Sequence, residues 1–215
     1  MYDKAISYSG LSLYRKCPQA WKHAYIDGNR SEPGAAAKRG TRLHQQLEDY
    51  FNGKAYPEKS AVLAPWKTFM YDLAAKRPTA EQKLAVDASW QPVGFDDENA
   101  HVRGAVDLSY KGQAFVVLDW KSGRIYPEHK GQADIYACMS YDGGPLSVGM
   151  VYLDLPLHTQ MWDYTAGNVE DLKGALDQEI DVLRLDEEYL ATPSDNACYW
   201  CPLSWRKGGE CTKAP

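Results

Sequence analysis

The chain has 215 residues, 44% of them hydrophobic and 25% charged, proportions near the globular average that exclude a disordered or fibrous design. A formal net charge of −5 argues against indiscriminate coating of nucleic acid, which relies on Lys and Arg displacing counterions. It does leave room for a carboxylate-based metal site beside a local cationic strip such as Lys38, Arg39 and Arg42.

In chain order, residues 9–26 carry Leu11, Leu13, Tyr14, Cys17, Trp21 and Tyr25 at roughly helical spacing, with Ser9 and Ser12 as cap candidates and a break near Pro18. Residues 31–37 read as a Pro/Gly/Ala connector. A helix is predicted over 41–51, where Leu43, Leu47, Tyr50 and Phe51 share a face before Asn52-Gly53, and another over 64–75. From Glu81 the rhythm changes to period two through Leu84, Val86, Ala88 and Trp90, then over 101–110 and 113–120, giving three successive strands. A helix over 131–141, strands over 148–155 and 161–164, and an amphipathic helix over 168–185 follow. Beyond Thr192-Pro193 the pattern dissolves into a Cys-, Gly- and Trp-rich tail. No run approaches the roughly eighteen apolar residues of a membrane span, and the first ten residues lack the apolar core of a secretory signal. The expected compartment is the cytosol.

The sharpest local feature is Val116-Val117-Leu118-Asp119-Trp120-Lys121, an apolar run delivering an acid, a spacer and a lysine. On a strand, Asp119 and Lys121 project to the same side. Asp107, in Gly104-Ala105-Val106-Asp107, is expected to end the preceding strand across a hairpin turning at Lys111-Gly112. Phosphodiester hydrolysis needs carboxylates to hold a hard divalent ion, which neutralises charge and acidifies the attacking water. A lysine orients that water or stabilises the developing charge without competing for the metal. A strand ending in solvated Asp and Lys gives the same short pattern.

Three further segments extend the constellation. Gly40-Thr41-Arg42-Leu43-His44-Gln45-Gln46-Leu47-Glu48 places a histidine on the second helical stretch, Glu81 stands at the start of the strand region, and Gln132 and Tyr136 lie four residues apart on one helix face. The order His44, Glu81, Asp107, Asp119, Lys121, Gln132, Tyr136 resembles the RecB-like PD-(D/E)XK nuclease superfamily, with Val106 where the name-giving proline stands. The resemblance implies an α/β restriction-endonuclease-like core, a central mixed sheet flanked by helices. It also implies that His44, Asp107 and Asp119 hold Mg²⁺ or Mn²⁺, and that Glu81 makes a further contact to the metal or its water. Lys121, Gln132 and Tyr136 are then the remaining catalytic residues. Taken alone, His44 reads equally as a surface histidine, Glu81 as a solvated strand residue and Tyr136 as core.

The five cysteines are an odd set for a reducing compartment, where stable disulfides are disfavoured. Cys198-Tyr199-Trp200-Cys201 forms a Cys-x-x-Cys knuckle, Cys211 follows nine residues later, and Cys17 sits in Tyr14-x-x-Cys17-Pro18. That set is similar to the iron–sulfur branch of the same nucleases, which includes AddB and the CRISPR-adaptation nucleases. It implies that Cys17, Cys198, Cys201 and Cys211 hold a 4Fe-4S cluster stapling the chain ends together. The gap before Cys211 is longer than the common pattern, and a Cys₄ zinc site is the alternative. Cys138 has no cysteine neighbour and is expected to pack as an apolar residue.

These observations lead to a single nuclease domain over 1–215, with 1–30 and 192–215 as the cluster-binding part and 40–190 as the catalytic core. Its expected activity is metal-dependent exonucleolytic cleavage of linear or single-stranded DNA, in recombination, repair or CRISPR or phage DNA processing. The setting is a prokaryotic or phage-infected cytosol, with a single-strand annealing or recombination protein as the partner class. No Gly-x-x-x-x-Gly-Lys-Ser/Thr loop encodes a helicase. The competing readings are a non-catalytic DNA-binding or scaffold module with a structural Cys₄ site, and a zinc-ribbon-tailed interaction protein.

Overall fold

In the computed structural model, which describes residues 2–213, the chain divides into two compact units: residues 33–174, and residues 1–32 with 175–215.

The larger unit is built on a five-stranded sheet of β1 (Thr79–Val86), β2 (Val102–Lys111), β3 (Phe115–Lys121), β4 (Leu146–Tyr152) and β5 (Thr159–Tyr164), in spatial order β1-β2-β3-β4-β5. β1, β2 and β3 are successively antiparallel, β4 runs parallel to β3, and β5 is antiparallel to β4. A parallel neighbour cannot be reached by a tight hairpin, so the chain crosses between β3 and β4 through a helix, His129–Ser140. Leu118 and Trp120 of β3 join Leu43 and Leu47 of helix Ala35–Phe51 and Met70 and Leu73 of helix Lys67–Ala74 in one buried cluster. Asp119, between those two core residues, bonds instead to the crossover helix. The alternation of β3 thus separates apolar packing from the polar constellation.

The smaller unit contains α1 (Tyr8–Lys16), α2 (Pro18–Tyr25) and α7 (Asp195–Trp200). Numbered in the same chain order, the helices of the larger unit are α3 (Ala35–Phe51), α4 (Lys67–Ala74) and α5 (His129–Ser140), and the unit boundary at Gly174–Ala175 falls inside α6 (Ala166–Leu185). Trp21 is fully buried there, stacked on Tyr25 at 5.5 Å and Tyr189 at 5.7 Å between ring centroids. Tyr14 donates to Asp186 Oδ2 at 2.8 Å, and Thr192 Oγ1 donates to the Lys16 carbonyl at 3.0 Å, joining the N- and C-terminal segments of this unit.

Several expected boundaries move. The break at Pro18 stands, with the proline at the first position of α2, where its missing N–H costs nothing. The cap of α1 is Ser7, whose side chain accepts from Gly10 N, rather than Ser9 or Ser12. α3 begins at Ala35, inside the stretch read as a connector, because the alanines of 35–37 are strong helix formers once Gly34 supplies the extended cap. β1 ends at Val86; Ala88 and Trp90 belong to a turn closed by Asp87, which accepts from Ser89 N and Gln91 N. The tail read as unpatterned contains α7, started by the Ser194 side chain accepting from Ala197 N. Among the described residues no helix is long and apolar enough to cross a membrane.

Candidate active site and cysteine centre

Three adjacent strands and two helices carry the polar constellation. Asp107 and Asp119 adjoin the paired residues Leu108 and Leu118 of the β2–β3 ladder. Asp107 lies within β2 and not at its end, because the strand continues to Lys111 before turning. Its carboxylate is pinned on both oxygens: the Trp120 amide donates to Oδ2 at 2.6 Å and His44 Nδ1 to Oδ1 at 3.0 Å. Glu81 does not open β1 but sits inside it, flanked by the pairs Ala80–Leu108 and Gln82–Val106. Its backbone turns to φ +50°, a left-handed conformation that costs a non-glycine residue about 1–3 kcal/mol. Ligand atoms of His44, Glu81 and Asp107 all lie within 4.8 Å of one another.

Asp119 is 4% exposed and at the centre of a second network. Its Oδ1 accepts from Gln132 Nε2 at 2.9 Å and from Tyr136 OH at 3.0 Å, while Lys121 Nζ stands 2.7 Å from Oδ2. Gln132 Oε1 accepts from Lys121 Nζ at 2.5 Å, so one amide fixes both the acid and the amine. Asp119 Oδ2 is buried, with the Lys121 ammonium as its partner. Glycines allow the helices to come this close. A Cβ on Gly104 would meet Met139 Cε at 3.1 Å and Tyr136 Cε1 at 3.5 Å, and one on Gly40 would meet Ser122 Oγ at 2.9 Å.

Like charges packed at this density shift their titrations. Burial, followed by the charge and hydrogen bond of Asp107, lifts the Glu81 carboxyl from 4.5 to about 7. Burial and Asp107 also raise the Asp119 carboxyl, against the pull of Lys121. Burial alone would lower the His44 imidazole, but bonding to Asp107 and the charge of Asp119 overcome it and raise the pKa. Tyr136 is held well above the usual phenol range, first by burial and then by Asp119, and serves as a hydroxyl donor.

All seven residues singled out for the site are therefore gathered within the larger unit, although the tight donor group contains Glu81 in place of Asp119. The cationic strip divides. Lys38 and Arg42 are exposed on α3, whereas Arg39 grips Asp154 through both guanidinium nitrogens, Nη1 at 2.9 Å. Asp154 also accepts from Gly123 N at 2.6 Å, two residues past Lys121. Sequence reading missed Asp154, for which the only signal is an acid just beyond an apolar strand. It also missed His129, whose Nδ1 lies 2.9 Å from Tyr152 OH and whose imidazole is lowered to about 4 by burial and by Lys121.

In the smaller unit the Cys201 thiol is buried enough to raise its pKa, with the amides of Leu203 and Ser204 opposing that rise and the charges of Cys17 and Cys198 adding to it. Cys211 bridges to Ser204, its amide donates to the Leu203 carbonyl at 2.8 Å, and its Sγ lies 3.7 Å from Gln19 Oε1. Cys138 is 2% exposed in the larger unit, packed as an apolar residue.

Comparison with known proteins follows the same lines. Among curated proteins no relative matches the sequence. Among solved structures, a protein from Eubacterium rectale named "Putative exonuclease" superposes with a TM-score of 0.56 at 12% identity, covering 99% of this chain and 91% of that one. The protein SSO0001 superposes with a TM-score of 0.51 at 13% identity, covering 100% and 89%. At these identities the likeness concerns the fold. The family model described as the PD-(D/E)XK nuclease superfamily matches residues 5–206, across both units and every residue of the polar constellation, and the chain belongs to that superfamily.

Proposed function

We propose that the protein is a divalent-metal-dependent DNA exonuclease. The observation that carries this reading is the convergence of His44, Glu81 and Asp107 beside the Asp119–Lys121 pair, since binding DNA without cutting it calls for no such cluster of acids. The donor set suits Mg²⁺ or Mn²⁺, being carboxylate oxygens with one imidazole whose ligand atoms lie within 4.8 Å of one another. His44, Asp107 and Asp119, joined by Glu81, would hold the ion, which neutralises phosphate charge and acidifies water.

The remaining residues act around it. Gln132 holds Lys121 Nζ at a fixed place, where the ammonium stabilises the charge that develops on the phosphoryl oxygens. Tyr136 OH, donating to Asp119 and lying 2.8 Å from the Ala105 carbonyl, keeps the carboxylate from rotating. Lys38 and Arg42 face solvent and guide the DNA backbone. The exonuclease name of the Eubacterium rectale relative supports action from ends.

The thiols of Cys17, Cys198, Cys201 and Cys211 fit a 4Fe-4S cluster in a structural role, with zinc as the alternative metal, and the two units together make one nuclease domain. The reaction belongs to recombination, repair or CRISPR or phage DNA processing in a prokaryotic cytosol, beside a single-strand annealing or recombination protein. Linear DNA labelled at either end and incubated with Mg²⁺ or Mn²⁺ will be shortened from a terminus. Asp119→Ala and Lys121→Ala will each lower that rate at least about a hundredfold while circular dichroism stays unchanged. Undiminished digestion by either variant would falsify the site.

A further inference from the structure

The C-terminal segment presents its largest apolar side chains to solvent. Tyr199, Trp200 and Trp205 are 58%, 71% and 55% exposed, a concentration of outward aromatics within seven residues that the core packing of this unit does not use. The exposure is built by a tightly folded turn. Gly209 closes on residues 202–203 so nearly that a Cβ there would fall 2.3 Å from the Leu203 carbonyl carbon. Gly209 N donates to Ser204 O at 3.0 Å, and Ser204 is 1% exposed beneath it. With the backbone turned inward at Ser204, the rings on either side point out.

Two cations accompany the rings. Lys207 Nζ lies 5.4 Å from the centroid of Trp200, and the Arg206 guanidinium lies 5.7 Å from that of Trp205. No acidic residue falls between Tyr199 and Gly209, in a chain whose formal charge is −5. An apolar protein partner would be served by the aromatics alone. A ligand with flat faces and a regular negative charge is served by aromatics and cations together, and unpaired bases on a phosphate backbone have that chemistry. Duplex DNA keeps its base faces stacked internally and offers no such match.

We propose that Tyr199, Trp200 and Trp205, with Arg206 and Lys207, form a docking surface for single-stranded DNA, with bases stacked on the rings and phosphates met by the two cations. This rests on the nuclease reading above, and it assigns to the C-terminal segment a part in binding DNA beyond stapling the chain ends.

The test is fluorescence anisotropy of a labelled oligothymidine on the full-length protein, with its cysteine-bound metal, in the Asp119→Ala background, so that binding is read without cleavage. Trp200→Ala with Trp205→Ala will weaken binding roughly tenfold or more. Trp200→Phe, which keeps a stacking face, will retain most of it. Arg206→Gln with Lys207→Gln will weaken binding and flatten its dependence on salt. If the alanine variant loses visible colour or cysteine-bound metal, the Phe and Gln variants decide: unchanged affinity and unchanged salt slope in the Gln variant overturn the proposal. Equal affinity of the metal-replete alanine variant and its parent also overturns it, and points to a protein partner. The separate failure, of the nuclease reading, shows as a parent with intact Asp119 that neither binds nor shortens any DNA.

Discussion

In residues 33–174 the charged groups are held by other side chains: Asp107 by His44, Asp119 by Gln132 and Tyr136, Lys121 by Gln132. In residues 1–32 and 175–215 the Cys201 thiol is met by the backbone amides of Leu203 and Ser204, and α7, which carries Cys198, has no buried residue. The first arrangement rests on strands and helices with an apolar cluster under them. The second has no buried residue in the helix that carries the knuckle, so on the proposed cluster reading thiolate–metal bonds would supply a large part of what folds it.

The largest expected effect follows from that contrast. Cys198→Ser removes one of the four thiols proposed as ligands, and structural metal sites contribute on the order of 10 kcal/mol to the segments they fold. The variant will lose its bound metal and its visible colour, and proteases will cut at residues 192–213. Chelating the divalent ion from the parent protein will instead stop digestion and leave melting temperature within a few degrees. A Cys198→Ser protein that resists proteolysis like its parent would show that the knuckle folds without metal.

A smaller effect, and one that sharpens the other half of the comparison, is the pH dependence of metal binding. With its pKa at about 7 instead of 4.5, Glu81 is protonated in more folded than unfolded molecules between those values. In metal-free protein this contribution is fully present below 4.5 and disappears as pH rises through about 7. A cation runs the opposite way, because it must expel that proton. Affinity for Mn²⁺ measured by calorimetry will therefore be about tenfold weaker at pH 6 than at pH 8. Glu81→Gln will flatten the dependence; a profile as steep as the parent's would assign the proton to another group.

How much of this was legible in the sequence depends on whether a feature is local. The Asp-x-Lys of β3 and the Gln132–Tyr136 pair on α5 were readable because strand and helix periods alone decide which side chains share a face. The order of strands through β3 was readable for the same reason. The strained backbone of Glu81 was not, since nothing in the residue type announces its φ of +50°. The early start of α3 was hidden by Pro33 and Gly34, which look like linker until Gly34 is seen to cap the helix. Arg39 read as a phosphate contact because its partner Asp154 lies 115 residues away. Charge on a helix surface says nothing about a pairing made only when β4 is laid beside β3.

That pairing supports the last and smallest prediction. Arg39 and Asp154 are partly exposed, at 38% and 26% of side-chain surface, so screening keeps the stabilisation from their ion pair to about 1 kcal/mol or less. The carboxylate nonetheless joins three pieces of the site. It holds α3 five residues before His44, accepts the Gly123 amide two residues after Lys121, and itself follows β4 by two residues. Asp154→Asn keeps an oxygen for Gly123 and loses the two-pronged grip on Arg39. Digestion will slow by about two- to tenfold, with the larger part in the affinity for Mn²⁺ because α3, which carries His44, loses one of its ties, while melting changes by only a few degrees. Arg39→Lys will recover part of the rate through a single contact. If Asp154→Asn weakens DNA binding and leaves metal affinity untouched, Arg39 contacts the phosphate backbone after all, and the clamp between α3 and the sheet is incidental.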